Sequence, residues 1–65
     1  MITINKEKFL LALAESSTTI KDIAEKAGVS RVVVSKIING RQLSARPQTL
    51  GKIAKALNVK VEDLI

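Results

Sequence analysis

A chain of 65 residues buries only about 60% of the surface it exposes when unfolded, so one small core and one domain spanning residues 1–65 are expected. The balance of 46% hydrophobic and 26% charged residues is that of a globular protein, and with Phe9 as the sole aromatic residue the core must be built from aliphatic side chains. The net charge of +5 comes without any cysteine or histidine, which excludes disulfides and the usual zinc sites, and the longest apolar run, Phe9 to Ala14, falls far short of the roughly 18 residues of a membrane span.

In chain order the apolar spacing predicts five helices. The first runs from about Lys6 to Glu15, with Asn5 as N-cap and Ile4 and Phe9 at the two positions of a hydrophobic staple; Ser16, Ser17 and Thr18 form a polar break. Thr19 opens the second, followed three residues on by Asp22, and Ile20, Ile23, Ala24 and Ala27 make its inner stripe up to a stop at Gly28. Ser30 caps a third helix from Arg31 to about Ile38, with Val29 set to staple against Val34 and Asn39-Gly40 as its stop. The β preference of Val32, Val33 and Val34 opposes this by only a few tenths of a kcal/mol per residue.

Arg41 to Arg46 reads as a loop. Pro47 suits the first position of a fourth helix whose inner stripe is Leu50, Ile53, Ala54 and Leu57, with Asn58 in place of a terminal glycine. Val61 to Ile65 is expected to add one last turn, frayed because Lys60 is a poor cap.

Charge is distributed unevenly along these elements. Up to Glu25, Lys6, Lys8 and Lys21 face Glu7, Glu15, Asp22 and Glu25; from Lys26 to Val61 there are eight cations and no carboxylate. Such a stretch repels itself unless a polyanion is near, which makes nucleic acid the expected partner, although a solvated basic face that aids solubility has the same composition.

The segment from Ile20 to Asn39 carries the most specific signal. Two short helices joined by a tight turn need a small residue where their backbones approach, a glycine at the turn and branched apolar residues beneath the second helix, and Ala24, Gly28, Val29, Val34 and Ile37 supply these in order. With Asn39-Gly40, the late run from Leu50 to Val59 and Glu62-Asp63-Leu64, nearly everything after Thr3 resembles the Cro/repressor-type, or Xre-type, helix-turn-helix family. Thr19 to Gly40 also resembles the headpiece of lac-repressor-type proteins, which place this segment at their extreme N-terminus. The resemblance implies an all-α, compact five-helix bundle of lambda-repressor-like fold that binds double-stranded DNA and regulates transcription. A loop after Gly40 slightly longer than in the shortest members, Gly51 inside the fourth helix and Lys60 at a capping position depart from the family's layout.

At about 100° per residue, seating Val34, Ile37 and Ile38 inward turns Val32, Ser35, Lys36 and Asn39 outward, with Arg31 and Val33 on the flanks. Similarity to the family implies that the first turn of this helix and the residue one turn later meet base edges, here Arg31, Val32 and Lys36. Arg31 or Lys36 suits guanine O6 and N7, and Val32 suits a thymine methyl; an incidental exposed valine accounts nearly as well for Val32, and for Lys36 the main rival is a phosphate contact. DNA-backbone contacts are expected from Thr19, Lys21, Ser30, Ser35, Arg41 and Arg46, with capping as the competing role of Thr19 and Ser30. Lys52 and Lys55 are expected to be solvated and to act through long-range attraction.

The expected activity is that of a cytoplasmic repressor of phage or mobile-element type, binding an inverted repeat as a homodimer with recognition helices about 34 Å apart. Its dimer interface is sought in Val59, Val61, Leu64 and Ile65, or in an arm formed by Met1 to Ile4, with ordinary capping of the core as the competing role of both patches. An antitoxin that binds a toxin protein and regulates its own operon has the same sequence pattern. A basic peptide for membranes or RNA is disfavoured because the apolar stripes are spent on one core, and an enzyme is disfavoured because the few carboxylates sit at surface and capping spacings. No cofactor or metal is expected.

Overall fold

Each helix starts where a side chain replaces a missing backbone partner. In the computed structural model, which describes residues 1–65, Asn5 Oδ1 accepts from the Lys8 amide, Thr19 Oγ1 from the Asp22 amide and Ser30 Oγ from the Val32 amide, each at 3.1 Å. These caps open α1 (Lys6–Ser16), α2 (Ile20–Ala27) and α3 (Arg31–Ile38), and each contributes about 1 kcal/mol. α4 (Pro47–Ala56) starts without a side-chain cap, on a proline whose fixed φ suits the first helical position.

The stops share one geometry. Gly28, Gly40 and Asn58 take left-handed φ values of 69°, 73° and 58°, and the following amides of Val29, Arg41 and Val59 donate back to the carbonyls of Ala24, Lys36 and Ala54 at 3.0, 2.8 and 3.0 Å. Ser17 adopts the same region at φ 51° after α1, a stop that its residue type does not announce.

Four α-helices form, not five. Val61–Asp63 is a single 3-10 turn, held by i→i+3 bonds from Asp63 N–H to the Lys60 carbonyl and from Leu64 N–H to the Val61 carbonyl, both 2.9 Å. A segment this short closes no run of 13-atom helical rings, so it stays in the tighter form. It is anchored rather than frayed. The Asp63 carboxylate accepts from the Lys60 amide at 3.1 Å, the Leu64 carbonyl accepts from the Asn5 amide at 2.8 Å, and the Leu64 side chain is fully buried.

The expected loop from Arg41 to Arg46 contains a second non-local contact. Two-residue strands β1 (Ile2–Thr3) and β2 (Ser44–Ala45) pair antiparallel, with Ile2 opposite Ala45 and Thr3 opposite Ser44. The Ile4 amide extends the pairing to the Leu43 carbonyl at 2.7 Å, so the loop that leads into α4 is tied to the chain's beginning.

One apolar cluster lies between the helices. Phe9, Ile23, Val34, Ile37, Leu50, Ile53 and Leu64 are its largest fully buried members, drawn from all four helices and the last turn, and no polar side chain is buried among them. α2 packs most extensively on α4 and on α3, while α1 closes the cluster from the side of α3 and the last turn. The result is a body of 24 × 21 × 20 Å whose helix-turn-helix pair rests on α1 and α4.

The glycines give a stability test. A Cβ built on Gly28 or on Gly51 meets nothing within 4 Å, but only Gly28 has positive φ; Gly51 lies in the helical interior of α4 and serves no close packing. Gly28→Ala therefore loses about 1 kcal/mol to backbone strain and Gly51→Ala gains a similar amount from helix propensity. Their thermal midpoints should move in opposite directions, by about 4–8 °C each in differential scanning calorimetry. Equal shifts of one sign would contradict the assignment of Gly28 as a left-handed stop.

Candidate nucleic-acid interface

The turn between α2 and α3 is built from three residues with separate tasks. Gly28 reverses the chain, Val29 packs its half-buried side chain on the core, and Ser30 caps α3. The hydroxyl of Ser30, like that of Thr19, uses its oxygen as acceptor for a helix amide and keeps its proton free to donate, so capping and an outward hydrogen bond are compatible at both residues. The first two amides of α2 and α3 have no intrahelical carbonyl to reach and give each N-terminus a partial positive charge.

α3 is seated by Val34 and Ile37, both fully buried, with Val33 and Ile38 half-buried on either side against the core. The opposite face is open. Arg31, Val32, Lys36 and Asn39 are exposed and Ser35 is half-buried. Together with Ile20 from the first turn of α2 and Arg41 from the loop after α3, these residues line one groove that contains three cations and no carboxylate. Arg41 is held there by its own amide, which donates to the Lys36 carbonyl at 2.8 Å, and Asn39 Nδ2 donates to Ser35 Oγ at 3.4 Å across one helical turn.

The remaining sequence-derived candidates lie outside that groove. Thr19 and Lys21 are exposed at the start of α2, Ser30 is exposed at the α3 cap, and Arg46 is exposed just before Pro47. Ile20 and Asn39 also line the groove: the apolar spacing places Ile20 in the inner stripe of α2 and gives no sign of its open side, whereas helical spacing alone turns Asn39 outward. Away from the groove, Lys26, Lys52 and Lys55 line a second concavity between α2 and α4 with Ala27 and Ala56.

The cations are electrostatically unspent. The single ion pair in the molecule joins Lys60 and Glu62 at 3.9 Å on the surface, so Arg31, Lys36, Arg41 and Arg46 have no carboxylate partner. Their charge is available to an external anion without first breaking an internal bridge.

Of the two patches considered for self-association, each loses one of its apolar members to the core. Leu64 is fully buried and Ile4 is only 3% exposed; Val59, Val61 and Ile2 are half-buried against the core, and Ile2 pairs within its own chain. The large apolar side chains that remain exposed outside the groove are Met1, Leu10, Leu11, Leu43 and Ile65.

Comparison with known proteins gives a consistent result. A family model described as helix-turn-helix matches residues 11–64. The HTH-type transcriptional regulator KdgR of Bacillus subtilis (strain 168) is 50% identical over 40 residues, which cover 62% of this chain and 12% of that protein. The HTH-type transcriptional repressor RghR of the same organism is 35% identical over 51 residues, covering 78% of this chain and 38% of RghR. The uncharacterised regulator RghRB, also from that organism, is 36% identical over 47 residues, or 72% of this chain and 34% of its own length. The chain thus spans well under half the length of the curated relatives it matches. No solved structure matches it at a significant level.

Proposed function

Because the chain belongs to the Xre-type helix-turn-helix family, we propose that it is a sequence-specific, double-stranded-DNA-binding transcriptional regulator that places α3 in the major groove and represses by occluding a promoter. The observation that carries this reading is the α3 groove, where Arg31, Lys36 and Arg41 share one concavity with Ile20 and Val32 and no carboxylate is among the lining residues. A protein that offers unpaired donors on a helix of major-groove width matches a surface of base acceptors flanked by phosphates.

In this reading Arg31, Val32 and Lys36 meet base edges. Arg41 and Arg46 hold one phosphate strand from beyond α3, and Thr19, Lys21, Ser30 and Ser35 hold the other from the helix starts. One such body covers only a few base pairs, so the protein acts as a homodimer on an inverted repeat, with half-sites one helical turn apart. Selection of bound sites from a random DNA pool tests this. The expected outcome is a palindromic consensus with 10–10.5 base pairs between half-site centres and a preference over random DNA of at least about 10³. A pool that stays unenriched after repeated rounds rejects the proposal.

Replacing Arg31 or Lys36 by alanine separates base contacts from phosphate contacts. Both side chains are exposed, so the stability should stay within about 0.5 kcal/mol of the parent and the thermal midpoint nearly unchanged. A base contact loses about 1–3 kcal/mol of discrimination at one position of each half-site; a phosphate contact weakens all sequences alike and lowers the salt slope by about one per protomer. Unchanged preference together with an unchanged salt slope in both variants would show that the wrong face of α3 has been assigned.

A further inference from the structure

In α1 the apolar run from Phe9 to Ala14 passes round more than one full turn, yet the core takes only one side of it: Phe9 and Ala12 are buried and Leu13 packs half-buried beside them. Leu10, Leu11 and Ala14 are left on the outer face, with Leu10 38% and Leu11 62% exposed. A helix that is apolar all round is ordinarily covered all round. Neither the core nor the α3 groove uses this face.

The flanking charges indicate what covers it. Lys8 and Glu15 are exposed two turns apart on one flank of α1, in a shallow concavity shared with Leu11, Val59 and Asp63. About 10 Å of helix separates them, so they cannot reach each other, and neither belongs to the one ion pair of the molecule. A two-fold axis directed along this flank, level with the midpoint between the two residues, lays α1 antiparallel against the α1 of a second copy. Each Lys8 then faces the Glu15 of the other copy, and Leu10, Leu11 and Ala14 meet across the seam. Glu7, at one end of the face, comes opposite the polar break that follows α1 and not opposite another acid. The other flank carries Lys6, whose side chain lies 3.5 Å from the place a Cβ would take on Gly40, just past α3. The same rotation therefore leaves both α3 helices on one side of the pair, as two half-sites on one duplex require.

We propose that the outer face of α1 is the surface through which two copies of this chain associate. The inference deepens the homodimer of the reading above by naming its interface, in place of the two patches that lose members to the core. A pair of short helices buries less than a standard interface, so the free chain is a weak dimer and a shared duplex holds the two copies together.

Sedimentation equilibrium of the DNA-free protein up to about 1 mM tests this, because even a millimolar association is then half populated. The parent should pass from monomer to dimer mass with rising concentration. Lys8→Glu and Glu15→Lys each set like charges against one another at both ends of the seam and should weaken association about tenfold or more. An acid near the start of α1 and a base near its end both suit the helix dipole, so neither variant should lose thermal stability. An equimolar mixture of the two variants should regain the dimer, since each then carries the charge that its partner needs at both positions. The double variant should associate like the parent. A parent that stays monomeric throughout, single variants that associate as tightly as the parent, or a mixture no tighter than either variant alone would overturn the α1 interface. If such a chain still selects a palindromic site, the DNA reading stands without this interface. A dimer that passes these tests and selects no site keeps the interface and rejects the DNA reading.

Discussion

Affinity for a selected site should fall by about 10³ or more when salt rises from 50 to 200 mM. A plot of the logarithm of the association constant against the logarithm of salt concentration should be straight, with a slope of about −5 or steeper. The reason is the unbroken cationic stretch from Lys26 to Val61, whose members on and beside the α3 groove have no internal carboxylate to release. A dimer that neutralises about six phosphates sets free that many condensed counterions, and each enters the slope with a weight of about 0.9. Three cations per protomer, Lys21, Arg41 and Arg46, suffice. Arg41→Ala should then flatten the slope by about two, one for each protomer, without altering the preferred sequence. Lys52→Ala with Lys55→Ala, in the concavity away from α3, should slow association at low salt and leave the slope nearly unchanged. An isotherm indifferent to salt would mean that these cations do not touch phosphate.

The parts of the molecule visible in the sequence are those fixed by local chemistry. Asn5, Thr19 and Ser30 mark the helix starts because each side chain bonds an amide two or three residues on, and Gly28 and Asn58 mark stops because few residue types accept positive φ. The helical spacing also separates Val34 and Ile37 from Val32 and Lys36, since periodicity of 3.6 leaves little freedom once one side is apolar. The chain's closing contacts were not visible in the same way. The bridge between Ile2–Thr3 and Ser44–Ala45 spans two residues per strand, too few for an alternation to register, and its partner lies some forty residues away. Glu62 and Asp63 suit the start of the last turn, and the expectation of fraying rests on Lys60 as a poor cap. What fixes it is Leu64 in the core and a backbone bond to Asn5, contacts that no local rule about Lys60 foresees. Within the α3 groove the sequence assigned Ile20 wholly to the inner stripe, because a half-buried residue at the first turn of a helix can serve the core and an open groove at once.

The second large effect is expected at Phe9. This side chain is fully buried, is the only aromatic in the chain and joins α1 to the cluster under α3. Phe9→Ala removes about 3–5 kcal/mol, a transfer term plus the cavity left behind. A core in a chain of this size rarely supplies more than about 3–5 kcal/mol in total, so the variant should be largely unfolded at 25 °C, with most of its far-ultraviolet helical signal lost. Its DNA response then separates a structural role from a direct one. Phe9 reaches no part of the α3 groove, so the folded fraction of the variant should bind the selected site with unaltered sequence preference. Because only the folded form binds, the site at a free concentration of 100 times the folded protein's dissociation constant should contribute about 2.7 kcal/mol and restore much of the helical signal. Random DNA of the same length and concentration should restore much less. Recovery that is equal on both DNAs would show that the surface formed on folding attracts polyanions without reading their sequence, which is the behaviour of a basic body and not of a regulator.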